Sequence, residues 1–441
     1  MPYFGAYVSD AGAAALHHYK YKGRDESLLL TCVTDPWFSR WVLYFPTWLA
    51  PNVITLVGFS FTAASHALLW YYVPMMQGPI PLWVCVYNAF AVLAYQAFDA
   101  MDGKQARRTQ SGSPLGLLFD HGCDALNATV ILINSACALQ LGPTLEVAIL
   151  AICGWTGFFA GTLEEYYTGE LYLGYINMPN EGLLLASVTH LLAGVLPLGF
   201  WSAPVPLLGW RLNVTLVALT ALLTVVTVLA NVRHIAQAVR RKRRAERERL
   251  SGRRPPTKKE LQGSSWWVAA TRSVPTAVIF MAFCAWIVLS PSSILARPPR
   301  LMLWAMGVTN SKLVTGIMLA HICEQEYHPW CRTIACSVTL LLHLFIQIAR
   351  HEQGHVRFDA AEEDVLLFEI FGLELASYSH MVYSMIYEVS HALGIYCFTI
   401  RRKRPYATGV PASPTLGPAK PPAQPERSAT SPARSRKHLV G

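Results

Sequence analysis

The chain has 441 residues, of which 53% are hydrophobic and only 14% are charged, and its formal net charge is +9. Soluble domains carry about 25% charged residues, so this composition argues against a soluble enzyme, a disordered chain and a fibrous repeat. Crossing about 30 Å of hydrocarbon needs roughly 20 apolar residues. A chain with this many apolar residues therefore predicts an all-α integral membrane protein.

Residues 1–50 are predicted to be a cytoplasmic and interfacial segment, because tryptophans and tyrosines cluster around Arg40 in a pattern typical of an amphipathic helix in the headgroup layer. About ten apolar stretches that could span the membrane follow. They lie near residues 52–74, 81–101, 115–140, 146–166, 182–202, 213–235, 266–289, 301–322, 331–349 and 376–399.

Two basic segments predict the orientation of these spans. One follows the sixth span at 240–265 and the other begins at Arg401, and positive loops favour the cytoplasm. Four spans separate the two segments, so both basic segments and both termini are predicted to be cytoplasmic. The chain then divides into spans one to six (51–239), a basic solvated loop, four further spans (266–400) and a disordered Pro-rich tail (401–441). We expect no nucleic-acid partner.

Four carboxylates flank the connection between spans two and three. Asp99 and Asp102 are three residues apart, and Asp120 and Asp124 are four apart, so each pair lies on one helix face if both segments are helical. A charged carboxylate at the centre of a span raises the free energy of membrane insertion by roughly 2.5–3.5 kcal/mol. A divalent cation with oxygen ligands would compensate these charges. The alternative is that the acids line a polar loop and pair with neighbouring lysine and arginine.

Small residues and one arginine separate the two acid pairs. Gly103 and Gly116 allow close approach of a backbone or a ligand, Ala106 keeps that face open, and Arg107 is placed for a phosphate group. These positions predict a phosphate-bearing substrate beside the cation.

The eight residues together fit the pattern D-x2-D-G-x2-A-R-x8-G-x3-D-x3-D, which resembles the signature of the CDP-alcohol phosphatidyltransferase family. The sequence segments at 50–59, 113–127 and 164–182 look like those of the choline/ethanolamine phosphotransferases within that family. The resemblance implies a six-helix catalytic core followed by four helices, and a homodimer in the endoplasmic reticulum or Golgi membrane with its active site facing the cytoplasm.

The resemblance also implies a reaction. Diacylglycerol attacks CDP-choline or CDP-ethanolamine, releases CMP and forms phosphatidylcholine or phosphatidylethanolamine, with two Mg²⁺ or Mn²⁺ ions. The implied metal ligands are Asp99, Asp102, Asp120 and Asp124. The residues expected to contact the CDP-alcohol are Asn52, Asp102, Gly103, Ala106, Arg107 and Gly116.

The proton acceptor has two candidates, His121 and Asp124. His121 directly follows the third acid and points about 100° away from it around a helix, which fits a base facing the acceptor. A hydrogen-bonding role for His121 is the alternative. Leu117 stands where subfamily members often carry a polar or acidic side chain. A supporting hydrogen bond to His121 from that side chain is therefore lost.

Other polar residues have weaker assignments. Asn52 follows Pro51 at the start of the first span and either contacts nucleotide or caps the helix. Candidates for contact with the amino alcohol headgroup lie in the loop after span four. They are Glu164, Glu165, Tyr166 and Glu181, with interfacial tyrosines and solvated acids as the alternative.

Two rival functions share these residues. A phosphatidyltransferase that uses CDP-diacylglycerol and a small alcohol would have the same metal site. A transporter of divalent cations or lipid would explain the aspartates. It would not explain Gly103, Ala106, Arg107 and Gly116 at their spacing.

Overall fold

A computed structural model describes residues 7–250, 266–297, 299–329, 335–354 and 358–400. That part of the chain forms twelve α-helices and one small sheet of β1 (Gly23–Asp25) and β2 (Leu171–Leu173). The helices are α1 (Asp10–Leu16), α2 (Asp35–Trp41), α3 (Pro51–Tyr72), α4 (Leu82–Arg108), α5 (Pro114–Ala138), α6 (Leu145–Thr168), α7 (Leu183–Val195), α8 (Leu212–Leu250), α9 (Trp266–Leu289), α10 (Pro299–Ile322), α11 (Ala335–Glu352) and α12 (Ala360–Leu393).

Seven of the described helices are long and apolar enough to cross a membrane, namely α3, α4, α5, α6, α8, α9 and α12. The predicted class, an all-α multi-pass membrane protein, is confirmed. The other three predicted spans correspond to α7, α10 and α11. Helix α7 has only 13 residues, and α10 carries a run of polar residues at 309–312 in its middle.

Helix α5 has α3, α6 and α10 packed around it. Two glycines make these contacts close. A Cβ on Gly154 of α6 would lie 2.6 Å from Leu132, and a Cβ on Gly307 of α10 would lie 2.4 Å from Thr129. Small residues allow helix backbones to approach closely in a membrane protein. Three neighbouring helices therefore fix the position of α5, which carries Asp120 and Asp124.

Two helices differ from the predicted spans in length. Helix α8 continues through the basic run to Leu250, so the predicted boundary at residue 239 falls inside a helix, because Arg, Lys, Glu and Ala are good helix formers. Helix α12 begins at Ala360 rather than near residue 376, and a capping box of Asp359 and Glu362 starts it. The rest of the predicted basic loop, 251–265, and the predicted tail, 401–441, lie outside the described residues.

The amino-terminal segment contains a sheet that the sequence pattern did not predict. Strand β1 pairs in parallel with β2, with Gly23 opposite Leu171 and Asp25 opposite Leu173. The Val8 amide donates a hydrogen bond to the Glu388 carboxylate of α12 at 2.8 Å. Residues 7–25 are therefore held both to the loop after α6 and to α12.

The predicted aromatic interfacial helix corresponds to α2 and the short helical turn Val42–Tyr44. Trp37, Trp41, Tyr44 and Trp48 are all exposed. Asp35 at the start of α2 pairs with Lys104 near the end of α4. The exposed aromatic side chains thus lie at the end of the bundle where α4 terminates.

Candidate active site

The turn between α4 and α5 brings the two aspartate pairs together. Asp99 and Asp102 lie near the C-terminal end of α4, while Asp120 and Asp124 lie in the early turns of α5. The Ser113 hydroxyl caps α5 by accepting a hydrogen bond from a backbone amide of its first turn. The acid pairs meet beside this short turn, as the spacing predicted.

Two groups of potential metal ligands share Asp120. Ligand oxygens of Asp99, Asp102 and Asp120 all lie within 4.8 Å of one another, and the same holds for ligand atoms of Asp120, His121 and Asp124. One oxygen of Asp99 and one of Asp120 are buried without a hydrogen-bond partner. Carboxylate oxygens at this separation are the ligands that Mg²⁺ and Mn²⁺ prefer, so these residues fit divalent cations.

The neighbouring basic residues do not neutralise the acids. Within the ranges that the structure describes, no lysine or arginine forms an ion pair with any of the four aspartates. Lys104 pairs with Asp35, and Arg108 donates to two backbone carbonyls at 3.0 and 2.7 Å. The alternative of an internally paired polar loop is therefore not what the structure shows, because Lys104 and Arg108 have other partners and Arg107 forms no ion pair with these aspartates in the described ranges.

Two hydroxyl groups orient the aspartates, and sequence reasoning missed both. The Thr55 hydroxyl of α3 donates to Asp102, and the Tyr95 hydroxyl of α4 donates to Asp124. Tyr95 lies one turn before Asp99 on the same helix face, which is a signal that the sequence contained. Thr55 lies in another helix, and the spacing around Asp102 gave no indication of it.

The predicted nucleotide-side residues lie close to these acids. Arg107 is exposed, and its guanidinium lies 3.6 Å from where a Cβ on Gly103 would be. A Cβ on Gly116 would lie 3.6 Å from the Asn52 side-chain oxygen. The Asn52 amide donates to the Cys397 carbonyl at 2.9 Å, and Ala50 is the N-cap of α3. Asn52 therefore does not cap the helix. Ala106 is half-buried on the same helix as Gly103.

His121 lies between two carboxylates. Its Nδ1 is 3.8 Å from an Asp120 oxygen, and its Nε2 is 3.8 Å from a Glu165 oxygen of α6. The side chain is buried, and Nδ1 has no hydrogen-bond partner. Of the two candidate bases, His121 lies beside Asp120 and the backbone of Leu117, and Asp124 accepts a hydrogen bond from Tyr95.

Three of the four candidate headgroup residues have protein partners. The Glu164 Oε1 atom lies 2.8 Å from His234 Nδ1, close enough for a hydrogen bond or an ion pair. The Tyr166 ring has the Arg272 guanidinium 5.9 Å from its centroid, and its hydroxyl accepts a hydrogen bond from the same arginine at 3.2 Å. These partners come from distant helices, so the absence of lysine and arginine near Glu164 in the sequence was misleading.

Glu181 is likewise engaged by the amino-terminal segment. Its carboxylate accepts hydrogen bonds from the Ser27 hydroxyl at 2.6 Å and from the Leu29 and Asn177 amides at 3.0 and 2.9 Å. Although partial burial opposes ionisation, these donors lower the pKa of Glu181. Glu165 differs from the other three candidates, because neither of its oxygens has a hydrogen-bond partner.

Two tyrosines of the amino-terminal segment lie near the acids, and no sequence pattern predicted this proximity. The Tyr19 ring packs edge-on against His321 of α10, with centroids 5.5 Å apart. Burial and then the negative charge of Glu165 raise the pKa of both Tyr19 and Tyr21 far above the ordinary range. Asp120 adds to this effect at Tyr21. The amino-terminal segment therefore forms part of the surroundings of the site.

Comparison with known proteins identifies relatives of the whole chain. The sequence model of the CDP-alcohol phosphatidyltransferase family matches residues 48–170, which contain the four aspartates. Choline/ethanolaminephosphotransferase 1 of Arabidopsis thaliana is 33% identical over 425 residues, which cover 91% of this chain and 100% of that protein. Choline/ethanolaminephosphotransferase 2 of the same plant is 32% identical with the same coverage. Cholinephosphotransferase 1 of Saccharomyces cerevisiae is 26% identical over 406 residues, or 91% of this chain and 99% of that protein.

Proposed function

The chain belongs to the CDP-alcohol phosphatidyltransferase family, and from that premise we propose that it transfers phosphocholine or phosphoethanolamine from the CDP-alcohol to diacylglycerol. The products are CMP and phosphatidylcholine or phosphatidylethanolamine. The observation that carries this proposal is the cluster of four aspartates beside His121, which no lysine or arginine of the described chain neutralises. Relatives that match along their full length bear the name of this activity.

The aspartates hold the cofactor in this proposal. Asp99, Asp102 and Asp120 would bind one divalent cation, and Asp124 would complete a second site with Asp120. When bound, Mg²⁺ or Mn²⁺ neutralises the pyrophosphate and stabilises the oxygen of the departing CMP. The hydroxyl of Thr55 fixes the Asp102 carboxylate. This orientation precedes substrate binding and therefore lowers the cost of forming the site.

The residues between the acid pairs bind the CDP-alcohol. The exposed Arg107 guanidinium is placed to donate hydrogen bonds to phosphate oxygens, and the missing side chain of Gly103 lets those oxygens reach α4. The small side chain of Ala106 leaves room for the substrate on the same helix face. Gly116 and Asn52 lie side by side across the turn and contact the nucleotide.

The chemical step joins the acceptor oxygen to phosphorus. The diacylglycerol hydroxyl attacks the phosphorus nearest the amino alcohol, a new P–O bond forms, and the P–O bond to CMP breaks. The hydroxyl proton passes to the protein. His121, whose Nδ1 lies 3.8 Å from an Asp120 oxygen, is the proposed acceptor. Asp124 is the alternative acceptor.

The contacts at one end of the bundle support a cytoplasmic active site. Asp35, Lys104 and the acids share that end, and so does His234 of α8 through its pairing with Glu164. The basic residues 240–244 follow His234 closely on the same helix. Positive segments favour the cytoplasm, so the aspartates would face the cytoplasm too. We place the protein in the endoplasmic reticulum or Golgi as a homodimer, which microscopy and light scattering would test.

A transfer assay tests the proposed function. Purified protein in lipid nanodiscs would receive radiolabelled CDP-choline, diacylglycerol and Mg²⁺, and CDP-ethanolamine in a parallel arm. Release of CMP with labelled phospholipid is the expected result. Labelled lipid from CDP-diacylglycerol and a small alcohol, but none from CDP-choline or CDP-ethanolamine, would instead identify a phosphatidyltransferase. Cation flux into vesicles without CMP would identify a transporter.

A further inference from the structure

Residues 395–400, which we call the carboxy-terminal strap, lead from the end of α12 to the start of α3 and the first turns of α5. Gly394 ends α12 with a φ of 63°, and the Ile395 amide donates a hydrogen bond to the Ser390 carbonyl at 3.1 Å. Glycine adopts this left-handed conformation without steric cost. The turn therefore sets the direction in which the strap leaves the helix.

The strap contacts two helices of the candidate active site. The Asn52 side-chain amide of α3 donates a hydrogen bond to the Cys397 carbonyl at 2.9 Å. The Phe398 ring packs edge-on against the Phe119 ring of α5, with centroids 5.4 Å apart. The strap lies outside the residues 48–170 that the family model matches. A segment beyond the matched region thus borders two helices that carry site residues.

The strap determines which end of the Asn52 amide faces Gly116. A backbone carbonyl can only accept, so the Asn52 atom that faces the Cys397 carbonyl is the nitrogen. The side-chain oxygen then faces α5, 3.6 Å from where a Cβ on Gly116 would lie. Asn52 is 7% exposed, and within the described chain its oxygen accepts no hydrogen bond. Asn52 therefore presents an acceptor with a fixed direction.

This acceptor lies next to the proposed cation site. Asn52 and Thr55 are three residues apart on one face of α3, which separates them by roughly 4.5 Å along the helix axis. The Thr55 hydroxyl donates to Asp102, a proposed metal ligand. When the phosphates of a CDP-alcohol lie at the cations, its nucleoside can therefore extend along α3 to Asn52. The missing side chain of Gly116 leaves room there for a flat nucleobase.

We propose that the strap is a positioning element of the nucleotide site, which holds the Asn52 oxygen toward the nucleobase and so favours cytosine over uracil. The inference rests on the proposed transferase function. Cytosine carries an exocyclic amino group that donates, whereas uracil carries a carbonyl oxygen at the same ring position. A fixed acceptor pairs with the amino group and leaves the uracil oxygen unpaired. An amide that rotates freely can turn its nitrogen to uracil instead.

Equilibrium binding of radiolabelled CMP and UMP to the full chain in nanodiscs with Mg²⁺ tests the proposal without the transfer reaction. The wild type should bind CMP about tenfold more tightly than UMP, or more. Phe398→Ala removes the ring that anchors the strap, so the Kd for CMP should rise about fivefold and the preference over UMP should fall about fivefold. Phe368→Ala, 60% exposed on α12, is the matched control and should bind both nucleotides like the wild type.

A double-mutant cycle tests whether the strap acts through Asn52. In an Asn52→Ala background, Phe398→Ala should change the Kd for CMP less than about twofold, because the amide that the strap positions is absent. Gly394→Val alters the strap at its first turn, where valine disfavours the positive φ, and should weaken CMP binding as Phe398→Ala does. If Phe398→Ala does not fold, Gly394→Val decides by the same Kd and the same preference.

The other outcomes overturn the proposal. An unchanged Kd and preference in folded Phe398→Ala, with a lower unfolding midpoint, would show a purely structural contact. Tighter CMP binding in that variant would show that the strap obstructs the site. Equal losses with and without the Asn52 side chain would exclude action through Asn52. Wild-type protein that binds CMP with the expected preference but transfers no phosphocholine or phosphoethanolamine would refute the proposed function alone, whereas wild-type protein that binds no CMP would overturn both.

Discussion

Lys312 and Glu374 form a buried ion pair between α10 and α12, whereas the four aspartates of α4 and α5 form no ion pair with lysine or arginine in the described chain. The side chains of the pair are 3% and 1% exposed, and their charged atoms lie 2.9 Å apart. Buried charges are tolerated when they are paired. The pair is therefore balanced by the protein alone, while the aspartates need bound cations. The unbalanced cluster, and not the more deeply buried pair, marks the reactive site.

Removing one aspartate should produce the largest effect on activity. Asp120 belongs to both ligand groups, so Asp120→Asn should lower turnover about 1,000-fold or more while the protein remains folded, because one of several repelling charges is lost. The transfer assay at saturating Mg²⁺ measures this. Asp35→Asn, which alters an aspartate paired with Lys104, is the control and should stay within about twofold. Near-normal turnover of the Asp120 variant would falsify the ligand assignment.

Breaking the ion pair should affect stability instead. Lys312→Met leaves the Glu374 carboxylate buried without this lysine, and a broken buried pair costs about 3–5 kcal/mol. Thermal unfolding in detergent, followed by tryptophan fluorescence, should show a lower midpoint. The double variant Lys312→Met with Glu374→Leu should recover most of the loss, since no charge remains. An unchanged midpoint in the single variant would show that the pair does not stabilise the fold.

Replacing the candidate base should have an intermediate effect on rate. His121→Ala should lower kcat about 100-fold with little change in KM for the CDP-alcohol, because the side chain accepts a proton only during the reaction. Steady-state kinetics with both CDP-alcohols measure this. Asp124→Asn provides the comparison. If His121→Ala weakens nucleotide binding alone, the base assignment passes to Asp124.

Metal binding should distinguish the aspartate cluster from the Lys312–Glu374 pair through a smaller effect on stability. Mg²⁺ at 100 times its Kd should stabilise the wild type by about 2.7 kcal/mol, since it binds the folded site. The rise in unfolding midpoint should vanish in Asp120→Asn and persist in the Lys312–Glu374 double variant. Removing metal with EDTA should abolish turnover, and added Mg²⁺ or Mn²⁺ should restore it. A full thermal response in Asp120→Asn would place the bound ion elsewhere.

The sequence was informative where the chemistry depends on local spacing. Asp99 and Asp102, and likewise Asp120 and Asp124, share a helix face because of the helical period, and the short turn between the pairs allowed their convergence to be predicted. The length of the apolar stretches predicted the seven described helices that are long and apolar enough to span a membrane. The extension of α8 to Leu250 was missed, because charge argued against a span although the residues favour a helix.

Contacts between distant segments could not be predicted from spacing. His321 and Glu165 are far apart in the chain, and no periodic pattern relates them. Glu164 looked unpaired, yet its partner His234 comes from α8. Glu388 and His380 had no assigned role, and in the structure they contact Val8 and Tyr7 of the amino-terminal segment. A single sequence does not contain this tertiary information in its local order.

The contact between Val8 and Glu388 also constrains the order of assembly during translation. These residues are 380 positions apart, so the ribosome must synthesise almost all of α12 before the hydrogen bond can form. Strand β1 likewise cannot form its strand pairing until Leu171–Leu173 has been synthesised. Residues 8–25 leave the ribosome before the segments they contact, so they reach their final position only after those later helices have been made.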